Sequence, residues 1–173
     1  MQMQNNKILH SNDSIVLWAG GISGTPVAER FICSIETILH KDYKNLSCSC
    51  FREKNAWDAD SYEIALKKGT NQTETVDFVM GLTNGQLVMV EAKLDVVNVD
   101  HLAGEIEEKI KKTKRYLVSS TTFKSCAKPS VVLFGNKKNN IQRNINKFRR
   151  LRQSKTDIIP MSLSDFYTNY FTE

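Results

Sequence analysis

Residues 74–94 read ETVDFVMGLTNGQLVMVEAKL, two runs of alternating apolar residues on either side of Thr83-Asn84-Gly85. An Asn-Gly pair between two such runs is a strong signal for a β-hairpin. The sequence therefore predicts two antiparallel strands here, with the second ending in Glu91-Ala92-Lys93.

The length of the turn decides which side chains share a face of this hairpin. A two-residue turn would pair Asp77 with Ala92 and place Asp77 on the face opposite Glu91. A three-residue turn with a left-handed Gly85 would instead pair Asp77 with Glu91. The second register collects apolar side chains on one face: Val76, Phe78, Met80, Leu82, Val88, Val90, Ala92 and Leu94. We therefore predict the three-residue turn, because a continuous apolar face specifies register.

In that register Asp77, Glu91 and Lys93 converge, since residues i and i+2 of a strand share a face. Two carboxylates directly across a hairpin repel each other and need a cation, a shared proton or a nearby base. Mg²⁺ suits such a pair, because it takes one or two carboxylates together with waters and substrate phosphates. Lys93 could then orient or activate a metal-bound water and stabilise charge on the phosphate. The alternative is that Asp77 merely ends a strand and that Glu91 and Lys93 form an ion pair on a solvent-facing strand.

The rest of the chain predicts elements around this hairpin. The expected strands are 14–18, 62–67, one within KPSVVLFGN (128–136), and the start of the segment 157–171, which ends as a short helix. The expected helices are 26–40 with Thr25 as N-cap, 100–119 and 139–153. The core order of helix, strand, hairpin, helix and strand implies an α/β fold with a mixed sheet between helices.

Composition fits a soluble enzyme or binding module. The 173 residues, 40% hydrophobic and 25% charged, suit one domain over 1–173. The four cysteines lack zinc-site spacing, no apolar run is long enough to span a bilayer, and the first residues are too polar for a signal peptide. We therefore expect a cytoplasmic protein with reduced thiols and no membrane partner.

The positive charge is concentrated near the C-terminus. The net charge is +5, yet one segment carries eight basic residues and no acid: Lys137, Lys138, Arg143, Lys147, Arg149, Arg150, Arg152 and Lys155. Such a basic stripe favours an anionic partner, nucleic acid above all. A solvated helix face that only aids solubility is the alternative.

Val76-Asp77 and Glu91-Ala92-Lys93, together with the order of elements over about 24–135, resemble the PD-(D/E)XK nuclease superfamily. The resemblance implies a restriction-endonuclease-like three-layer α/β/α core, followed over 137–173 by a basic helix and closing segment. It implies Mg²⁺- or Mn²⁺-dependent hydrolysis of DNA, with a metal site at Asp77, Glu91 and Ala92 and with Lys93 at the attacking water.

The stretch Gly24-Thr25-Pro26-Val27-Ala28-Glu29-Arg30 is similar to the first helix of Holliday-junction-resolvase relatives. This similarity makes Glu29 the third catalytic acid, with Glu36 as the second choice. The Gln-x-x-x-Tyr pattern of some exonuclease branches is incomplete, because Tyr116 is present without the Gln. The expected partner is DNA, a homodimer is left open, and the rival interpretation is a non-catalytic nucleic-acid-binding or protein-interaction module that keeps the fold.

Overall fold

A computed structural model describes residues 7–68, 73–118, 129–136 and 140–173. Within these residues six strands form one mixed sheet in chain order, with six α-helices around it. The strands are β1 Ile32–Ser34, β2 Asn55–Asp58, β3 Phe78–Gly81, β4 Leu87–Lys93, β5 Ser130–Phe134 and β6 Ile158–Ser162. The helices are α1 Asn12–Gly20, α2 Ile35–Asp42, α3 Ala59–Lys67, α4 Leu102–Leu117, α5 Ile141–Leu151 and α6 Leu163–Phe171.

The sheet has an antiparallel half and a parallel half. Strands β1 to β4 pair antiparallel, whereas β4, β5 and β6 pair parallel. Parallel neighbours need crossover connections, and α4 and α5 supply the two that this half requires. The predicted α/β class with a mixed sheet is therefore confirmed.

Each face of the sheet has its own apolar core. One core joins the sheet to α1, α3, α4 and α5, and the other joins it to α2 and α6. Alternation along the strands divides the side chains, so that Val79 and Met89 enter the first core while Phe78 and Val90 enter the second. The result is a helix–sheet–helix sandwich, which agrees with the expected three layers.

The hairpin has the predicted register. Phe78 pairs with Val90 and Gly81 with Leu87. The Leu82 N–H donates to the Gln86 carbonyl at 2.9 Å, and Gly85 is left-handed with φ +79°. The turn therefore has three residues, and continuing the pairing by one step places Asp77 opposite Glu91. The expected apolar face holds except for Val76, which packs in the first core.

The predicted strand at 14–18 is wrong, because these residues lie inside helix α1. Ser11 caps the helix by accepting a hydrogen bond from the Ser14 N–H at 3.2 Å. Ile15, Trp18 and Ala19 are buried against the sheet at helical spacing. Burial of this stripe outweighs the strand preference of the β-branched residues Ile15 and Val16.

The predicted helix 26–40 is also wrong as a single element. A cis Thr25–Pro26 bond is followed by a 3₁₀ turn at Ala28–Phe31, the strand β1 and only then α2. Strand β1 forms because it pairs with β2, a contact that local apolar spacing cannot reveal. Ser34 is the actual N-cap and accepts from the Thr37 N–H at 3.1 Å.

The predicted strand at 62–67 lies within helix α3. Asp58 caps this helix by accepting from the Ser61 N–H at 3.0 Å. The true strand, β2, comes just before it and pairs with β3. The N-terminus of α3 therefore lies beside the start of the hairpin.

The later elements agree with the sequence. Strand β5 and helices α4 and α5 fall inside the expected ranges, and the last segment forms β6 and then α6. Because β6 joins the sheet beside β5, the sheet extends beyond the expected core of 24–135. Across the described residues, no helix combines the length and the apolar character that crossing a membrane would require.

Candidate active site

Glu91 is the most enclosed of the predicted acids. Its residue is 1% exposed, although β4 carries it near the carboxyl end of the strand. Its Oε1 atom accepts from the Lys109 ammonium at 2.8 Å and lies 3.0 Å from the Lys93 ammonium. Its Oε2 atom is buried and has no hydrogen-bond partner among the described residues. The alternative of a solvent-facing Glu91–Lys93 pair is therefore excluded.

Asp77 lies half-buried just before β3, on the same side of the hairpin as Glu91. Its Oδ2 atom accepts from the Ala92 N–H at 2.5 Å. Burial raises the pKa of Asp77 well above the ordinary range, and the charges of Glu91 and Asp60 raise it further. The predicted convergence of the two hairpin carboxylates is therefore what the structure shows.

Lys93 joins the same group. Its ammonium lies 3.0 Å from both Glu91 Oε1 and Glu105 Oε1. Burial lowers the pKa of Lys93, but the two carboxylates outweigh burial and raise it above the ordinary lysine value. Lys93 is consequently a permanent ammonium at neutral pH.

Ala92 contributes only main-chain atoms to this region. Its N–H is bound to Asp77, and its carbonyl accepts from the Tyr43 hydroxyl at 3.0 Å. Tyr43 belongs to the opposite layer of the molecule, where it packs against the second core. Ala92, one of the three predicted metal ligands, thus has its carbonyl engaged by a hydroxyl from the opposite layer.

Asp60 is an acid of this cluster that the sequence did not reveal. It lies in the first turn of α3, where its Oδ1 accepts from the Thr75 hydroxyl at 2.9 Å, and its carboxyl is close enough to Asp77 for its charge to raise the pKa of Asp77. Burial raises the pKa of Asp60. The main chain explains this proximity, because the Ala59 N–H donates to the Asp77 carbonyl at 3.2 Å. A sequence prediction that assigned β2 correctly could have identified Asp60, because the pairing of β2 with β3 places the start of α3 beside Asp77.

A buried carboxylate, Glu63, holds the segment that leads into Asp77. Its Oε2 atom accepts from the N–H groups of Glu74 and Thr75 and from the Thr75 hydroxyl. Its other oxygen accepts from the Tyr116 hydroxyl at 3.3 Å. Tyr116 therefore supports the site from a distance rather than entering it.

Lys109 is the second residue that the sequence missed. It lies on the sheet-facing side of α4 and its side chain is 15% exposed. Glu107 lies two residues before Lys109 on the same helix, and helical geometry points the two side chains in different directions. Lys109 reaches Glu91, whereas Glu107 reaches Arg152. Only the tertiary contact between α4 and β4 could identify Lys109.

The two candidates for a third acid lie elsewhere. Glu29 is exposed on the 3₁₀ turn, with its carboxylate against Gly20 at the end of α1. Glu36 is on α2, in the opposite layer, and pairs with Arg52 at 3.1 Å. The structure brings neither of them to Asp77 and Glu91, and Asp60 stands where a third acid was expected.

The basic residues of this segment differ in their surroundings. Arg143, Arg149 and Arg150 are exposed on α5. Lys147 pairs with Asp100 at 2.6 Å, in the loop that follows β4. Lys137 and Lys138 lie outside the described residues.

Arg152 departs from the expected nucleic-acid surface. Its side chain is 2% exposed and is ion-paired with Glu107 and with Asp157. It joins the end of α5 to α4 and to the start of β6, which is a structural role.

The donor set fits a hard divalent ion. The unpartnered Oε2 atom of Glu91 and the carboxyl of Asp77 are oxygen ligands of the kind that Mg²⁺ prefers, and Mg²⁺ needs only one or two carboxylates. Over 7–68, 73–118, 129–136 and 140–173, no set of three or more His, Cys, Asp or Glu side chains is arranged to hold a metal ion. Asp60 is therefore a neighbour of the pair rather than a third ligand already in place.

No family model, curated protein or solved structure matches this chain. The function must accordingly be inferred from the geometry of its own residues.

Proposed function

We propose that this protein is a metal-dependent nuclease of the PD-(D/E)XK type that hydrolyses phosphodiester bonds in DNA. The observation that carries the proposal is the convergence of Asp77, Glu91 and Lys93 on one buried hairpin face, with one Glu91 oxygen unpartnered. Asp77 and Glu91 would hold Mg²⁺ or Mn²⁺. When bound, such an ion polarises a phosphate and lowers the pKa of a coordinated water.

The chain's own residues supply the remaining chemistry. Lys93 stays protonated, so it donates hydrogen bonds to the attacking water or to the phosphate and does not remove a proton. Its ammonium stabilises the negative charge that develops during attack, in a site largely shielded from solvent. The charge of Asp60 raises the pKa of Asp77 and so favours a proton or a cation at that carboxyl.

The exposed arginines of α5 would bind backbone phosphates. Helix α5 packs against the loop that leaves β4, where the Asn144 side chain donates to the Val96 carbonyl at 3.0 Å. This contact links the basic helix to the strand that carries Glu91 and Lys93.

Glu91→Gln tests the catalytic proposal. The variant keeps the shape of the side chain but removes the charge that a metal needs. We expect cleavage of duplex, single-stranded or branched DNA with Mn²⁺ to fall by about 10²–10³-fold, the effect of losing one charge-stabilising group in an active site. The matched control is Glu53→Gln, an exposed glutamate, which should cleave like the wild type. Equal cleavage by Glu91→Gln, or no cleavage of any of these DNAs by the wild type, would refute the proposal.

A non-catalytic nucleic-acid-binding module is the second candidate. It is favoured by the two ammonium partners of Glu91, which neutralise this carboxylate without any metal ion. Such a module would bind DNA in a salt-dependent manner that is indifferent to Mn²⁺ and to Glu91→Gln.

A further inference from the structure

We propose that Lys109 is a resident counter-ion of the acidic cluster, which a divalent metal ion must displace before the site can act. This inference rests on the nuclease function proposed above and adds to it a residue that controls metal affinity. Four features of the structure support it.

The first feature is the position of the ammonium. Lys109 Nζ lies 2.8 Å from Glu91 Oε1, and its charge also acts on Asp77 and Asp60. It therefore pairs with Glu91, and its charge lowers the pKa values of Asp77 and Asp60. A metal ion bound by Glu91 would compete with this ammonium for the same carboxylate, because like charges repel.

The second feature is the rigidity of the helix turn that carries Lys109. The Thr113 hydroxyl donates to the Lys109 carbonyl at 2.8 Å and accepts from the Val76 N–H at 2.9 Å. Thr113 thereby ties this turn of α4 to the segment next to Asp77. The backbone of Lys109 is fixed, so an exchange with metal has to occur by rotation of its side chain.

The third feature is the unpartnered oxygen of Glu91. Oε2 is buried with no hydrogen-bond donor among the described residues, while Oε1 already accepts from two ammonium groups. Neither ammonium reaches Oε2 in this structure, whereas a divalent ion prefers several oxygen ligands and can take one from Glu91. The lysines therefore leave part of the Glu91 carboxylate available to a metal ion.

The fourth feature is a place for the displaced side chain. Lys109 lines a cleft of about 290 Å³ together with Thr73, Glu74, Glu105, Glu108 and Lys112. Three of these residues are carboxylates that already pair with lysines, Glu105 with Lys93 among them. If the Lys109 side chain rotated into this cleft, its ammonium would pair with other carboxylates and would not be left without a counter-charge.

Binding of Mn²⁺ to Lys109→Met tests the inference. Free Mn²⁺ would be followed by electron paramagnetic resonance, and thermal unfolding would be measured in EDTA and in Mn²⁺. We expect Lys109→Met to bind Mn²⁺ at least about tenfold more tightly than the wild type, because the Lys109 ammonium no longer competes with the metal ion for Glu91. In EDTA this variant should also unfold at a lower temperature than the wild type. Addition of Mn²⁺ should raise its unfolding temperature by more than it raises that of the wild type. The control Lys111→Met removes an exposed lysine on the same helix, one that pairs with Glu108, and should match the wild type.

A second variant and a second measurement complete the test. If Lys109→Met does not fold, the same Mn²⁺-binding measurement is made on Lys109→Gln. In the wild type, nitrogen-15 NMR of the lysine ammonium groups should show one protected signal lost when Mg²⁺ is added. Unchanged or weaker Mn²⁺ affinity in the neutral variants would overturn the Lys109 inference. If the wild type still cleaves DNA through Glu91, the nuclease proposal survives that result. If no variant binds Mn²⁺ and the wild type does not cleave, both proposals fail.

Discussion

Asp77 shows how one side chain depends on its surroundings. Its carboxyl is flanked by Glu91 and Asp60 and is removed from water, so a proton or a cation is needed to stabilise it. The folded, metal-free chain holds that proton at a pH where an unfolded chain has already released it. This difference links the stability of the protein to pH.

The substitution Asp77→Asn should stabilise the folded protein more, relative to the wild type, as the pH rises. Above the ordinary aspartate pKa of 3.8 the folded chain binds more protons at Asp77 than the unfolded chain, so its stability falls with rising pH up to the raised folded pKa. Asparagine removes this loss and can still accept from the Ala92 N–H. Thermal unfolding in EDTA across pH 4–8 should show the variant gaining on the wild type as pH increases. A gain that shrinks with pH would contradict the assignment.

Glu63 illustrates a residue that acts through its neighbours. It touches neither Glu91 nor Lys93, yet it binds the Thr75 hydroxyl, which in turn donates to Asp60. A buried carboxylate is maintained only where donors satisfy it. The donors here are the Lys67 ammonium at 2.6 Å, the Tyr116 hydroxyl and the backbone of the segment that leads into Asp77. Glu63, about one helical turn after Asp60, thus helps to position the segment that leads into Asp77.

Among the elements, α5 combines two roles on one helix. Its outer side carries exposed arginines, whereas its C-terminal cap is Arg152, a buried cation that joins α4 and β6. The basic composition of the segment suggested one role for all of these residues. Burial separates them, because a guanidinium at 2% exposure is not free to bind phosphate.

The partners of Arg152 should matter more to stability than Arg152 itself. The double variant Glu107→Gln, Asp157→Asn leaves a buried guanidinium without a counter-charge, which costs about 3–5 kcal/mol. Arg152→Met leaves two carboxylates that are 41% and 53% exposed and can hydrate, so it should cost less. Urea unfolding compares the two free energies, with Glu53→Gln as the control. A larger loss for Arg152→Met than for the double variant would contradict this account.

On the scale of the whole molecule, the sheet separates two layers with different roles. The layer of α1, α3, α4 and α5 carries Asp60, Lys109 and the exposed arginines, while α2 and α6 cover the opposite face. The hairpin side chains alternate between these layers, so the candidate site residues and the first core share one face while the second core covers the other. DNA should accordingly bind on the side of α4 and α5.

Arginine substitutions on α5 should reduce both DNA affinity and its dependence on salt. Each phosphate contact releases condensed counterions, so removing one lowers the slope of log affinity against log salt by about 0.9 for duplex DNA. Arg143→Ala, Arg149→Ala and Arg150→Ala should each show this change in a fluorescence-anisotropy titration. Arg52→Ala removes an exposed arginine from the opposite layer and should leave the slope unchanged. Identical slopes for all four variants would exclude α5 as the DNA-binding surface.

The amino-acid sequence by itself determined the hairpin and its register. A left-handed glycine and two apolar runs are local signals, and they suffice to bring Asp77, Glu91 and Lys93 together. Helices α4 and α5, strand β5 and the final strand and helix were likewise predictable, because their apolar patterns are strong and uninterrupted.

Only the tertiary structure decided the rest of the site. Asp60 reaches Asp77 because β2 pairs with β3, and Lys109 reaches Glu91 because α4 packs across β4. These contacts join residues 17 and 18 positions apart in the chain, as the numbering shows, and no local pattern encodes them. The predicted third acids failed to join the cluster for the same reason: a helix spacing at 26–40 was overridden by the pairing of β1 with β2. Strand pairing and burial are collective properties of the folded chain. They decide which groups become the partners of a carboxylate, and the residues next to it in the sequence do not.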